Sequence, residues 1–220
     1  MSSALVLIRP DSFSLYYSDR PGSIGGAIPT TATKDMEVVS DAELVKAIAK
    51  LIPGNARTPV STVLAVADEL CFAIPQKGEK QEEVEKRLVE LTPFTQVALA
   101  TVKAGSEGYV VAANQDYYES YARALSAVHH PVVLTVPWMA LLQGGITQGE
   151  VDSVTVKRVF DTLTSLRGSA YPTRIESIQT PISAGEKTTQ KSTKPPRGWI
   201  IFGVAALCYA VAMYWFFIRA

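Results

Sequence analysis

Cysteine and histidine are scarce, with two of each in 220 residues, and the 21 basic side chains are matched by 21 acidic ones. Two cysteines cannot build a disulfide framework, and Cys71 lies in an apolar stretch while Cys208 sits in an apolar C-terminal run, so each reads as a small buried hydrophobe. The missing basic excess excludes the electrostatic footprint that a nucleic-acid backbone selects. No Gly-x-x-x-x-Gly-Lys-Ser/Thr loop, no Gly-x-Gly-x-x-Gly turn, no His-Glu-x-x-His and no Cys-x-x-Cys pair occurs. At the N-terminus the apolar run Ala4 to Ile8 is followed at once by Arg9-Pro10, too short for a signal-peptide core, and it reads as a strand.

Apolar residues are plentiful at 47%, against 19% charged, too apolar for a disordered chain. They are concentrated from Trp199 to Ile218, where WIIFGVAALCYAVAMYWFFI carries no charge and no proline. At about 1.5 Å per residue such a run makes roughly 30 Å of helix, enough to span a bilayer core. Trp199 at one end and Tyr214 and Trp215 at the other match interfacial aromatic belts. Lys187, Lys191, Lys194 and Arg197 outnumber the far-side Arg219, which predicts a cytoplasmic N-terminal part and a single-pass, tail-anchored arrangement.

Between these ends the pattern is mixed α and β. Residues 4–18 read as two strands bent about Arg9-Pro10-Asp11-Ser12, with Phe13, Leu15 and Tyr17 alternating with Ser12, Ser14 and Tyr16. Residues 21–29 are glycine-rich and read as a loop, with Met36 to Val39 as a third strand and Ser40-Asp41 capping a helix to about Ile52. Strands are expected at 61–67, 70–74, 96–103, 108–113 and 131–136, and helices at 82–92, 114–128, 138–143 and 151–166. Gly144-Gly145 separates an extra helical segment, 144–167, from what precedes it, and residues 168–198, rich in Ser, Thr, Pro, Gln and Lys, read as a flexible tether.

The candidate chemistry is thin. His129 and His130 fall at a helix-to-strand turn with no Cys or acidic partner nearby in sequence and read as a polar turn, not a metal site. Gly22, Gly25 and Gly26 lack the following helix and lysine that a phosphate loop needs. Asp68-Glu69 read as a turn, and Asp116 and Glu119 as the acidic first turn of a helix. The expectation is a protein that is not an enzyme, with no catalytic, cofactor or metal residues.

Several strings, taken in order, resemble the N-terminal half of the PilM-like family of actin-like proteins of type IV pilus assembly, relatives of FtsA and of the cytoplasmic domain of the type II secretion L protein. They are Val63-Leu64-Ala65-Val66, Phe72-Ala73-Ile74-Pro75, the acidic Val84 to Leu91 running into Thr92-Pro93-Phe94, Val97-Ala98-Leu99, the Val-Val-Ala-Ala of 110–113, then Tyr118 to Val128, Val132 to Val136 and Ala140-Leu141. The resemblance implies a truncated actin-like domain over 1–143, with a ribonuclease-H-like subdomain from 4–39 and 107–143 and an inserted subdomain over about 40–103. Members that bind ATP carry an Asp-x-Gly loop where this chain has Arg9-Pro10-Asp11, and the second lobe that closes over nucleotide has no counterpart here, so no cofactor is expected. PilM holds the N-terminal tail of PilN in a groove on this half. The function implied is a non-catalytic scaffold at the bacterial inner membrane, with PilN-like or other pilus or secretion platform proteins as partners and groove residues unassigned. Two alternatives stand beside it: a degenerate nucleotide-binding protein that completes its cleft as a homo-oligomer, with Gly203, Ala205, Ala206 and Ala210 offering close helix approach, and a general tail-anchored adaptor.

Overall fold

Five of the six residues in Ser3–Ile8 are apolar without alternation, the pattern of a strand covered on both faces. The computed structural model describes residues 2–52, 58–142, 146 and 151–172, and in it Ala4 to Ile8 have no exposed surface. This strand, β1, is followed by β2 (Ser12–Tyr17), β3 (Ser23–Ala27), the short β4 (Thr33–Lys34) and β5 (Glu37–Val38), helix α1 (Asp41–Leu51) and β6 (Ser61–Val66). Then come β7 (Cys71–Pro75), α2 (Gln81–Leu91), β8 (Val97–Ala104), β9 (Glu107–Asn114), α3 (Gln115–Ala127), β10 (Val132–Pro137), α4 (Trp138–Leu142), α5 (Ser153–Asp161) and α6 (Leu163–Leu166).

The main sheet has the order β10-β6-β1-β2-β3. β1, β2 and β3 form an antiparallel meander, while β6 and β10 join β1 in parallel. The β1–β2 register sets Phe13, Leu15 and Tyr17 beside Ile8, Val6 and Ala4, so one face of β2 is buried and the other half-exposed. Helices α1 and α3 pack together, and α5 lies along β1 and β2 with Val156 and Val159 buried in the same core.

A second sheet, β7-β9-β8, is antiparallel. Val110 and Ala112 on one face pack with Val84 and Leu88 of α2, whereas Ala98, Ala100, Val102, Val111 and Ala113 belong to the main core. The charged side of α2 faces solvent, as its sequence predicts, with Arg87 paired to Glu79 at 3.0 Å. The chain thus has a mixed α/β fold.

Several expectations are corrected. The third strand of the sheet is the glycine-rich Ser23–Ala27, not Met36 to Val39; residues 37–38 pair only with 33–34 in a separate ribbon. Glycine depresses strand propensity, but an edge strand with one neighbour tolerates it, and here Gly25 is required: a Cβ there would lie 2.5 Å from the Phe13 carbonyl oxygen. The strands and helices expected within an inserted subdomain over about 40–103 are divided between the two sheets. Residues 41–66 supply α1 and β6 to the main body, and 107–114, expected in the main subdomain, form β9 of the small sheet. The helix expected over 151–166 breaks at Thr162, whose hydroxyl donates back to the Arg158 carbonyl at 2.9 Å.

The first residues of the tether expected over 168–198 belong to the fold, because residues 167–169 form a 3₁₀ turn and Tyr171 is buried. The Tyr171 amide donates to the Thr135 carbonyl at 2.9 Å, its ring stacks on Tyr118 at 5.4 Å, and the Tyr118 hydroxyl donates to the Pro172 carbonyl at 2.7 Å. The rest of the tether and the membrane helix expected between Trp199 and Ile218 lie outside the described residues. Among the described residues no helix is long and apolar enough to cross a membrane.

The two strand glycines give a graded prediction. Gly25→Ala should destabilise by about 1–3 kcal/mol, because rigid backbone must move. Gly26→Ala meets only the end of the Leu51 side chain at 3.1 Å and should cost less than about 1 kcal/mol. Paired thermal melts check the order.

Candidate functional site

The β1–β2 turn is where the resemblance would place a phosphate loop. Pro10 has no N–H, and the Arg9 amide donates to the Ser12 carbonyl at 2.9 Å. The Tyr117 hydroxyl of α3 covers the turn from below, within 3.2 Å of both the Arg9 and Pro10 carbonyl oxygens. The Arg9 guanidinium turns back to Ser14 Oγ at 3.4 Å, and the Asp11 carboxylate accepts from the Ser12 hydroxyl at 3.2 Å. A triphosphate needs converging amide donors; two of the tip's amides are absent or engaged, and an exposed carboxylate sits among them. The residues present do not fit the group.

A groove of about 450 Å³ lies where β5, the N-terminus of α1 and the N-terminus of α3 meet, bordered by Thr95 ahead of β8. Its shape is set by two local devices. Asp35 and Met36 both have positive φ, 52° and 61°, forming the two-residue turn of the β4–β5 ribbon. A methionine rarely adopts that conformation, and Asn114 holds it by donating from Nδ2 to the Met36 carbonyl at 2.9 Å. The same Asn114 caps α3, its Oδ1 accepting the Tyr117 amide at 3.3 Å, and Ser40 caps α1 by accepting the Glu43 amide. One side chain therefore ties the ribbon to α3.

The rim is acidic. Glu37, Asp41 and Asp116 line it, and Arg123 reaches it from α3, 3.4 Å from Asp41 and 2.7 Å from the Ser120 hydroxyl. Val39 stands 61% exposed on the wall, an apolar contact among carboxylates. Such a surface suits an extended segment that carries both basic and apolar side chains. No sequence pattern announced it, since its residues come from three separated stretches, 37–41, Thr95 and 114–120.

The residues that drew attention in the sequence take structural places. Asp68 and Glu69 start a 3₁₀ turn after β6, where burial and the neighbouring Glu69 carboxylate raise the Asp68 pKa above its ordinary value. Asp116 and Glu119 sit in the first turns of α3, Asp116 on the groove and the Glu119 carboxylate accepting from Gln115 at 2.7 Å. Cys71 packs inward beside Tyr171, and burial pushes its thiol up to about 12, an unreactive state. Phe94 meets Phe72 edge-to-face at 5.5 Å. Among the described residues no cluster of His, Cys, Asp and Glu could hold a metal ion.

His130 departs from the polar turn expected of it. His129 takes positive φ, 65°, and is exposed, which turns the chain so that His130 is fully buried. Its Nδ1 donates to the Val128 carbonyl and its Nε2 accepts from the Tyr17 hydroxyl, both at 2.9 Å, so the neutral Nδ1–H tautomer satisfies every atom. Burial lowers its pKa. Arg20 lies over the Tyr17 ring at 4.1 Å, adding a cation beside the pair.

No family model and no curated protein matches the chain. Solved structures similar to it include the PilM-PilN type IV pilus biogenesis complex (18% identity, 60% of this chain and 46% of that one, TM-score 0.43). A second is the cytoplasmic domain of EpsL, an inner membrane component of the type II secretion system of Vibrio cholerae (12% identity, 62% and 57%, TM-score 0.38). A third is a Bacteroides thetaiotaomicron protein with an actin-like ATPase fold and unknown function (11% identity, 64% and 53%, TM-score 0.43). The chain spans about half the length of these structures.

The His130 pair predicts an acid-sensitive fold. The unfolded imidazole titrates near about 6.5 and the folded one lower, so the stability it contributes is complete above that pH and declines as pH falls below it, by at most about 1.4 kcal/mol per pH unit. Melting temperatures between pH 7.5 and 5 should fall more steeply for the native protein than for His130→Gln. Tyr17→Phe should cost about 1–3 kcal/mol at neutral pH by leaving Nε2 without a donor.

Proposed function

We propose that this protein is a non-catalytic scaffold built on an actin-like fold, docking an inner-membrane partner of PilN-like type within a type IV pilus or type II secretion-like platform. The observation that carries this reading is the acid-rimmed groove beside the Asn114-held ribbon, which offers a surface for a basic, apolar extended segment. The strand order supports the actin-like part: an antiparallel meander continued by two parallel strands is what a ribonuclease-H-like subdomain requires, with the small β7-β9-β8 unit emerging between β6 and α3.

The β1–β2 turn supports the non-catalytic part, since a nucleotide hydrolase needs the phosphate cradle that Arg9, Pro10 and Asp11 do not form. The C-terminal run from Trp199 to Ile218 supplies the membrane anchor in this proposal, with the folded unit on the cytoplasmic side of a bacterial inner membrane. Anchoring raises the local concentration of a membrane-borne partner, so modest affinity in the groove suffices.

The test is a thermal-shift titration of the full-length chain in neutral detergent. A peptide copying the N-terminal tail of a PilN-type protein should raise the melting temperature, and Mg-ATP should leave it unchanged. The double reversal Glu37→Lys with Asp116→Lys should weaken peptide binding at least tenfold without unfolding the protein. A shift produced by Mg-ATP would sink the non-catalytic reading, and an undiminished affinity in the double variant would move the partner off this groove.

A further inference from the structure

The main sheet has two outer edges, and they are treated differently. On the β10 side the chain returns to its own edge at one point, where the Tyr171 amide donates to the Thr135 carbonyl. On the β3 side no strand pairs with the outer edge among the described residues. Soluble proteins usually blunt such an edge with charge, proline or a covering element. The sequence of β3, Ser-Ile-Gly-Gly-Ala, contains neither charge nor proline.

The hydrogen-bond ladder says which backbone groups are open. The Ile28 amide donates to the Asp11 carbonyl at 2.7 Å, and Gly26 lies opposite Phe13 and Ile24 opposite Leu15. Alternation along an antiparallel pair then directs Ile24 and Gly26 toward β2 and turns the N–H and C=O groups of Ser23, Gly25 and Ala27 outward. All three of these residues are exposed.

Beside this edge runs a second groove, about 250 Å³, between Ala27 and Pro29 on one side and α1 on the other. Ala47 and Leu51 form its apolar floor, with the Leu51 methyl groups reaching under Gly26. Glu43, Lys46 and Lys50 stand on its rim. Lys46 is paired with Glu43 at 3.4 Å, while Lys50 has no ion-pair partner among the described residues, so the rim carries one surplus positive charge.

We propose that β3 and the adjoining α1 groove bind an extended peptide that adds as a sixth strand, placing small apolar side chains on Ala47 and Leu51 and a carboxylate against Lys50. Backbone pairing supplies the affinity, and the groove supplies the preference for alternating apolar and acidic residues. This surface is separate from the acid-rimmed groove and prefers the opposite charge, so the proposal stands or falls independently of the partner-docking reading.

The probe is a fluorescein-labelled octapeptide with threonine at outward positions and valine and glutamate alternating at groove-facing ones, titrated by anisotropy into the full-length chain in neutral detergent. Saturable binding is expected. N-methylation of the alternate residues that pair with β3 should weaken it at least tenfold, whereas N-methylation of the other set should leave it within about twofold. Replacing the glutamates by lysine, or Lys50 by Glu, should also weaken it. Hydrogen exchange at Ser23, Gly25 and Ala27 should slow when peptide is added. Absence of binding, or binding indifferent to both methylation patterns or to the charge exchange, would overturn the proposal. A dimer in sedimentation that protects these same three amides without peptide would also overturn it and assign the edge to a second copy of the chain.

Discussion

Burial of β1 on both faces is the constraint that the remaining structure serves. A strand with no exposed surface from Ala4 to Ile8 must have hydrogen-bonded neighbours on both edges and apolar cover on both sides. β2 and β6 meet the first demand, one antiparallel through a tight turn and one parallel through the α1 crossover. Helix α5, along β1 and β2, serves the second, and Leu44 and Ile48 of α1 with Tyr121 and Leu125 of α3 lie in the same buried core. The late position of α5 in the chain means that the core is complete only when residues 153–161 have joined it.

Aromatic hydroxyls organise what the apolar core does not. Tyr17, Tyr117, Tyr118, Tyr121 and Tyr171 are all buried, and each carries its oxygen to a polar group: His130, the Arg9 and Pro10 carbonyls, the Pro172 carbonyl, the Tyr117 hydroxyl and Cys71 respectively. Large rings contribute most of the burial, and their single oxygens satisfy loop carbonyls that would otherwise lack donors. Burial raises the pKa of every one of these phenols, so they remain neutral donors throughout the physiological range.

Element positions were legible in the sequence wherever periodicity was strong. The alternation of Phe13, Leu15 and Tyr17 matches β2, the spacing of Val84 and Leu88 matches the buried side of α2, and the Ser40 cap starts α1 where its side chain predicts. What failed were places where tertiary context overrides propensity. Ser23–Ala27 has poor strand composition and forms a strand because β2 offers an edge. His130 looked polar because sequence does not reveal that Tyr17, 113 residues away, meets its ring. The acid-rimmed groove was invisible for the same reason: Glu37, Asp41, Asp116 and Val39 converge only after the β5, α1 and α3 termini meet.

Tyr117 and Tyr118 are consecutive residues with different duties. Tyr117 lines the acid-rimmed groove, and Tyr118 holds residues 171–172 by stacking on Tyr171 and donating to the Pro172 carbonyl. A load applied at Pro172 is therefore shared between the first turn of α3, one peptide unit from the groove wall, and β10, where the Tyr171 amide donates to the Thr135 carbonyl. Asn114 caps that turn and holds the Met36 ribbon, so the turn that anchors Pro172 is also bonded to the groove wall.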